Sequence, residues 1–296
     1  MFVNKDYLKF IKNSRQRGLD IVGTSVIQTL GSTYAKPGNM MLVNSNEEFI
    51  GVLGSPALQN KILALSKEVL QSNKPLYFEN TPKDKNSGHG ISKYLVQAFL
   101  YNENYASLGV CLDNIGKTLI RSIKDFNFEI VDEIIETKFE NDKFYQRIEK
   151  PYSLLVFGSG AHVTSLISMA NLMGWETSVI DMEIKEKLVN EADNLIKLEK
   201  LQDILIMDLS SYNASVILSH SPKTDDTYLE ALLKSNVEYI GILGNKKNMQ
   251  KKRDEFKLHD DNRFFAPVGF DIGGNTHESI ALSICAQIEA KKNGKI

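Results

Sequence analysis

Cysteine, tryptophan and proline are scarce in this sequence, at two, one and seven of 296 residues. Cys111 and Cys285 are too far apart for a CxxC clip, and His89, His162, His220, His259 and His277 show no HExxH spacing. Neither a structural zinc site nor a disulfide framework is expected. A strong charge of one sign is lacking too: 35 Lys and Arg face 37 Asp and Glu, which excludes electrostatically driven nucleic-acid binding. No apolar run approaches the ~20 residues of a membrane helix, and Met1-Phe2-Val3-Asn4-Lys5-Asp6 lacks the apolar segment of a signal peptide. The expectation is a cytoplasmic protein without a membrane or nucleic-acid partner. What is present is globular: 42% hydrophobic and 24% charged residues, in a length natural for two domains.

The first half reads as an α+β domain over residues 1–125. A charged helix spans about Tyr7 to Arg17, closed by Gly18. The β-branched stretch Ile21 to Ile27 suits a buried strand, and Met40–Val43 with Phe49–Leu53 predicts a hairpin around Asn44-Ser45-Asn46. Ile62, Leu65, Val69 and Leu70 have the spacing of an amphipathic helix over 58–70, and Asn80 to Gly90 is a polar loop. Residues 126–150 place Ile130, Val131, Ile134 and Ile135 on one helical face, and are expected to form a helical linker ending at Pro151.

Residues 151–296 alternate strand and helix patterns, which predicts a Rossmann-like domain with a mainly parallel sheet. Leu154 to Phe157 is an apolar strand, Gly158-Ser159-Gly160 the turn, and Val163, Leu166, Ile167, Ala170 and Met173 the buried face of a helix that Gly174 ends. The next strand, Thr177 to Ile180, delivers Asp181, 23 positions after Gly158, where an acid can reach a ribose hydroxyl. Glycines there let backbone amides approach a phosphate at a helix N-terminus. Val163 stands where the dinucleotide pattern has its third glycine, so a Rossmann fold with no nicotinamide function stays open beside the nucleotide-binding reading.

Further strands are expected at Ser215–Leu218 and Tyr239–Leu243, and a closing helix at Glu278–Lys292. His220 follows the first of these strands, at the carboxyl edge where open α/β sheets bind ligands. Either it transfers a proton, oriented by Asp225 or Asp226, or it satisfies backbone groups while one of those aspartates caps the next helix; for Asp226 the cap is favoured. Gly244 lets backbone approach a ligand at the next strand end. The glycine-rich loop Pro267 to Gly274, which contains Asp271, precedes a helix capped by Thr276 and is placed to close over a ligand. His162 reads as a solvated residue at the start of the first helix, and His89 and His259 as surface residues. Cys285, among Ile280, Leu282, Ile284 and Ile288, is a core residue. Cys111, in an apparent turn, is the better candidate for reactivity, although a buried inert thiol is the commoner state.

Taken together, Gly31-Ser32-Thr33 with Pro37-Gly38-Asn39-Met40, the Phe157-to-Gly160 turn, Gly174-Trp175 leading to Val179-Ile180-Asp181, Ser219-His220-Ser221-Pro222, Tyr239 to Gly244, and Pro267 to Gly273 resemble the XdhC/CoxI family of maturation factors for xanthine dehydrogenase and related molybdenum hydroxylases. The resemblance implies a two-domain protein, usually a homodimer. Such a protein binds molybdenum cofactor (molybdopterin), protects it during sulfuration by a cysteine desulfurase, and passes it to an apo xanthine dehydrogenase-type molybdoenzyme. On that basis Gly158, Ser159, Gly160 and Asp181 would hold the pterin or nucleotide part, with Gly244 and Asp271 beside it, while Cys111 and His220 would face the molybdenum from a cleft between the domains.

The chain departs from the family pattern at several positions. Ala57 and Gln59 stand at the cysteine and glutamate of a Gly-Gly-Cys-Leu-Glu type motif, and Leu112-Asp113-Asn114 replaces the glycines after the second family cysteine, Cys111. Met182 stands where a basic residue is common nearby, and His277 and Ser279 replace a Pro and a Glu at the start of the last helix. Two other readings therefore stand beside the maturation factor: an NAD(P)-dependent oxidoreductase with His220 as acid/base, and a diverged cofactor-free scaffold.

Overall fold

The computed structural model describes residues 1–81, 90–219 and 221–296. His89, His220 and most of the expected 80–90 loop lie outside the described residues. The chain divides into two compact units, Met1–Lys150 and Pro151–Ile296.

In the first unit, helix α1 (Lys5–Gln16) begins where the Asn4 side chain accepts from the Asp6 amide at 2.8 Å, and the chain leaves it through Gly18 at φ +66°. Strands β1 (Ile21–Leu30), β2 (Met40–Asn44) and β3 (Phe49–Ile50) follow, then helix α2 (Pro56–Ser72), with Ser55 as N-cap and Pro56 in its first turn, and strands β4 (Leu76–Asn80) and β5 (Ile91–Phe99). These five strands form an antiparallel sheet in the order β3-β2-β1-β5-β4. The period of two in β1 sorts its side chains. Val22 and Val26 face α2 through Val69 and Ile62, while Ile21 faces Ile11 of α1 and Leu108 of α3 (Ala106–Leu112).

Residues 126–150, expected as a helical linker, form strands instead. β6 (Thr118–Ser122), β7 (Phe128–Val131), β8 (Lys138–Glu140) and β9 (Lys143–Arg147) make a second antiparallel sheet ordered β7-β6-β9-β8. The residues that suggested one helical face are only partly buried or, at Ile134, 60% exposed. The buried contacts come from Phe144 and Gln146, which alternate with exposed lysine and arginine in β9. The second sheet also carries Arg121, completely buried and, among the described residues, without a carboxylate partner. Its guanidinium donates to Gln97 Oε1 (3.1 Å), Ser25 Oγ (3.0 Å) and Gln146 Oε1 (2.7 Å), and lies 5.3 Å from the Phe144 ring centroid.

The second unit runs β10 (Ser153–Phe157), α4 (Ala161–Leu172), β11 (Glu176–Asp181), α5 (Glu186–Val189), β12 (Asn194–Lys197), β13 (Ala214–Ile217), α6 (Pro222–Leu233), β14 (Tyr239–Ile242), α7 (Lys246–Glu255), β15 (Phe264–Phe265) and α8 (His277–Lys292). All six strands are parallel, in the order β12-β11-β10-β13-β14-β15. Numbered from β10, this is 3-2-1-4-5-6, the Rossmann order, whose switch point falls between β10 and β13. The central strands are apolar throughout because both faces are covered. Leu154, Val156 and Val179 pack on α4 and α8, whereas Leu155, Phe157 and Ile180 pack on α6 with Tyr228 and Leu232. Among the described residues no helix is long and apolar enough to cross a membrane.

Candidate functional site

The site is set by the end of β10. Gly158 has φ +109°, and a Cβ built there would stand 2.8 Å from the Leu218 carbonyl oxygen, so only glycine fits between β10 and the chain leaving β13. The turn is tied to both neighbours: Gly158 N donates to Ile180 O at 2.9 Å, and Leu218 N donates to Phe157 O at 2.8 Å. Gly160 differs. It is the N-cap of α4 with an ordinary extended backbone, and among the described residues a Cβ there would meet nothing within 4 Å. Among the described residues no side chain caps α4. Its first turn, the positive end of the helix, lies at the switch point, where Val163 N donates to Gly160 O at 3.0 Å.

Ser159 lies between the two glycines and is 3% exposed. Its hydroxyl is 2.8 Å from Asp181 Oδ2 and 2.9 Å from the Glu183 carbonyl oxygen, while Asp181 Oδ1 accepts from the Met182 amide at 2.8 Å. The acid at the end of β11 is thus oriented by the glycine turn itself. A carboxylate has about four lone-pair sites, so these two bonds leave capacity for a ligand hydroxyl. Val163, in place of a third glycine, is completely buried in the helix–sheet cluster. It seats α4 on the sheet through a side chain.

The structure brings Gly158, Ser159, Gly160 and Asp181 together and distributes the other candidates. Gly244 follows β14, just before Asn245, which caps α7 by accepting from the Asn248 amide at 2.9 Å. It borders a cavity of about 400 Å³ between α6 and α7. Asp225 and Asp226 do not cap α6, whose N-cap is Ser221 with Pro222 in the first turn. Asp225 is buried and accepts from the Ser219 hydroxyl, and Asp226 pairs with the buried Lys252 of α7. Asp271 is exposed in the loop before α8, its Oδ1 accepting from the Gly273 amide at 3.4 Å. Thr276 caps α8 as expected, accepting from the Ser279 amide at 3.2 Å.

Cys111 lies in helix α3 of the first unit and not in a turn. It is completely buried among Ile11, Leu108 and Leu119, and burial pushes its thiol up to about 12. A metal ligand must be a thiolate, so this environment works against the expected molybdenum contact. Cys285 is buried in the core as expected, its thiol likewise raised to about 12 by burial. Among the described residues no three His, Cys, Asp or Glu side chains gather around a possible metal position. One pairing has no signal in the sequence: His162 at the start of α4 meets His277 at the start of α8, with Nδ1 atoms 2.8 Å apart. The two lie 115 residues apart, and no linear spacing marks their contact.

The chain is similar to known proteins. The chain matches the XdhC and CoxI family over residues 14–79 and the XdhC Rossmann domain over residues 154–288, together more than half its length. A Bacillus subtilis (strain 168) protein whose name makes it a probable component of xanthine dehydrogenase is 25% identical over 308 residues, covering 91% of this chain and 92% of its own. The uncharacterized protein YqeB of Escherichia coli (strain K12) is 24% identical over 149 residues, covering 47% of this chain and 27% of its own. A Bacillus halodurans crystal structure described as a xanthine dehydrogenase shares the fold, with a TM-score of 0.79 and 20% identity over 98% of this chain and 96% of that one. On these two family matches, the chain belongs to the XdhC/CoxI family.

Proposed function

We propose that this protein is an accessory factor of a xanthine dehydrogenase-type molybdoenzyme, binding molybdenum cofactor and assisting its sulfuration and insertion. The observation that carries the reading is the open cradle at Gly160. It places uncapped helix amides at the Rossmann switch point, beside a carboxylate already oriented by Ser159. A pterin phosphate, or the pyrophosphate of a dinucleotide form, matches those amides, and Asp181 suits a hydroxyl of the same ligand. The cofactor, when bound, would supply the molybdenum centre that the client enzyme uses for hydroxylation. The residues of this chain bind its phosphate end and orient it. Cys111 is assigned no part in this.

The cysteine count favours a protein that serves the hydroxylase over the subunit that carries its iron–sulfur clusters. An iron–sulfur cluster needs about four cysteine ligands, and this chain has two, both buried. A cysteine desulfurase and an apo-hydroxylase are the partners this role requires, and a homodimer the assembly in which we expect it to act.

The test is anaerobic equilibrium binding of the purified protein to molybdopterin, to its dinucleotide form, and in parallel to NAD(H) and NADP(H). Submicromolar pterin binding without nicotinamide binding supports the proposal. Nicotinamide binding alone replaces it with an oxidoreductase, and binding of neither leaves the cofactor-free scaffold that Ala57 and Gln59 suggest.

A further inference from the structure

Helices α4 and α8 pack side by side through Val163, Leu166 and Ile167 on one and Ala281, Ile284 and Ile288 on the other. This packing brings their first turns together. His162 sits in the first turn of α4 and His277 opens α8; their rings meet edge to face, centroids 4.2 Å apart. The Nδ1–Nδ1 separation of 2.8 Å is a hydrogen bond, so one ring supplies the proton and the other a lone pair. Both helices are anchored by their own packing, and the pair lies at an accessible face with His277 exposed.

We propose that His162 and His277 form a two-imidazole chelate for a divalent transition-metal ion with square-planar or octahedral preference, copper(II) or nickel(II). With metal–nitrogen bonds of ~2.0–2.1 Å, nitrogens at this spacing subtend ~85–90°, a cis coordination angle and not the ~109° of a tetrahedron. On binding, the shared Nδ1 proton moves to Nε2 of the same ring, leaving two neutral imidazoles with both Nδ1 lone pairs on the metal. The positive ends of α4 and α8 disfavour a cation. The Glu278 carboxylate, in the first turn of α8 next to His277, opposes that field. The remaining coordination positions go to water. This site uses neither Asp181 nor the glycines of the cofactor cradle, so it stands or falls independently of the pterin reading.

The experiment titrates the full chain with copper(II), nickel(II), cobalt(II) and zinc(II) salts. Calorimetry gives stoichiometry, and spectroscopy gives the donor set. Expected are one copper(II) per chain, with coupling to two imidazole nitrogens in its electron paramagnetic resonance spectrum, and cobalt(II) with the weak d–d bands of six-coordination. His277→Ala and His162→Ala should each lose the equimolar step and one nitrogen coupling, while His259→Ala, whose imidazole pairs with Asp254 instead, retains both. Circular dichroism verifies that the variants fold. The proposal is overturned by absence of equimolar binding in the wild type, by intense tetrahedral cobalt bands, or by undiminished binding in a folded His162→Ala/His277→Ala variant.

Discussion

The two glycines of the β10–α4 turn are predicted to fail in opposite ways, and that contrast tests the cradle. At Gly158 an alanine is forced to φ +109° with its Cβ 2.8 Å from the Leu218 oxygen. Left-handed backbone costs ~1–2 kcal/mol and overpacking ~1–3 kcal/mol, so Gly158→Ala should destabilise the protein by ~2–5 kcal/mol. At Gly160 the backbone is already extended, and among the described residues nothing beyond its own chain neighbours lies within 4 Å of a Cβ built there. Losing glycine from an N-cap costs ~0.5–1 kcal/mol, and the lower entropy of the unfolded chain returns ~0.4–1 kcal/mol. Gly160→Val should therefore unfold near the wild-type urea midpoint. Its isopropyl group nevertheless fills the space in front of the α4 amides. One charge-assisted hydrogen bond is worth ~1.5–3 kcal/mol, so the loss of a single amide–phosphate contact weakens pterin binding roughly tenfold to a hundredfold. Urea titration and anaerobic ligand binding on the same preparations separate the two effects. Wild-type affinity in folded Gly160→Val would falsify the placement of the ligand at α4. A Gly158→Ala variant as stable as wild type would refute the steric account of the turn.

Other consequences concern buried groups. Arg121→Met should cost ~2–5 kcal/mol in urea unfolding, because Gln97, Ser25 and Gln146 all lose the cation they accept from; a stabilised variant would mean the buried charge is a net burden. Burial raises the thiols of Cys111 and Cys285 and the phenol of Tyr228 to about 12. Folding favours their protonated forms, so their contribution is intact below the ordinary thiol range near ~8.5 and is lost as pH rises towards 12. Stability measured against pH should fall across that window, and less steeply in Cys111→Ala. At pH 8 a thiol raised to about 12 is ionised on the order of 10⁻⁴, so neither cysteine should react with Ellman's reagent until the protein unfolds; rapid native labelling would contradict their burial. Asp226→Asn should cost ~1 kcal/mol by leaving the buried Lys252 without its anion. Were Asp226 a helix cap, asparagine would serve equally and no change would be seen.

The features readable in the sequence are those written into short contiguous segments. Strand, glycine turn, helix, strand and acid occupy residues 154–181, and a pattern that local predicts its own backbone. Where a segment takes its structure from distant partners, the pattern misleads. Ile130, Val131, Ile134 and Ile135 have helical spacing, yet the segment is ruled by β6, which pairs with Phe128–Val131 on one side and Lys143–Arg147 on the other. An edge strand with one half-buried face carries too few apolar residues to reveal a period of two. Arg121 is hidden for a similar reason. A lone arginine in a short strand reads as solvated, and its three acceptors come from β1, β5 and β9. The aspartates of α6 mislead because cap preference is a local rule, whereas Lys252, 26 residues on, is the stronger partner for Asp226. The same logic divides the candidate site. The cradle of Gly158, Ser159, Gly160 and Asp181 lies within one βαβ unit and is legible there, while the contact between His162 and His277 exists only because α8 returns across the sheet to lie on α4. If the chelate forms, its metal clamps these two first turns together. Copper(II) should then protect the amides at the start of both helices from hydrogen exchange, and His277→Ala should abolish that protection at α4 as well as at α8.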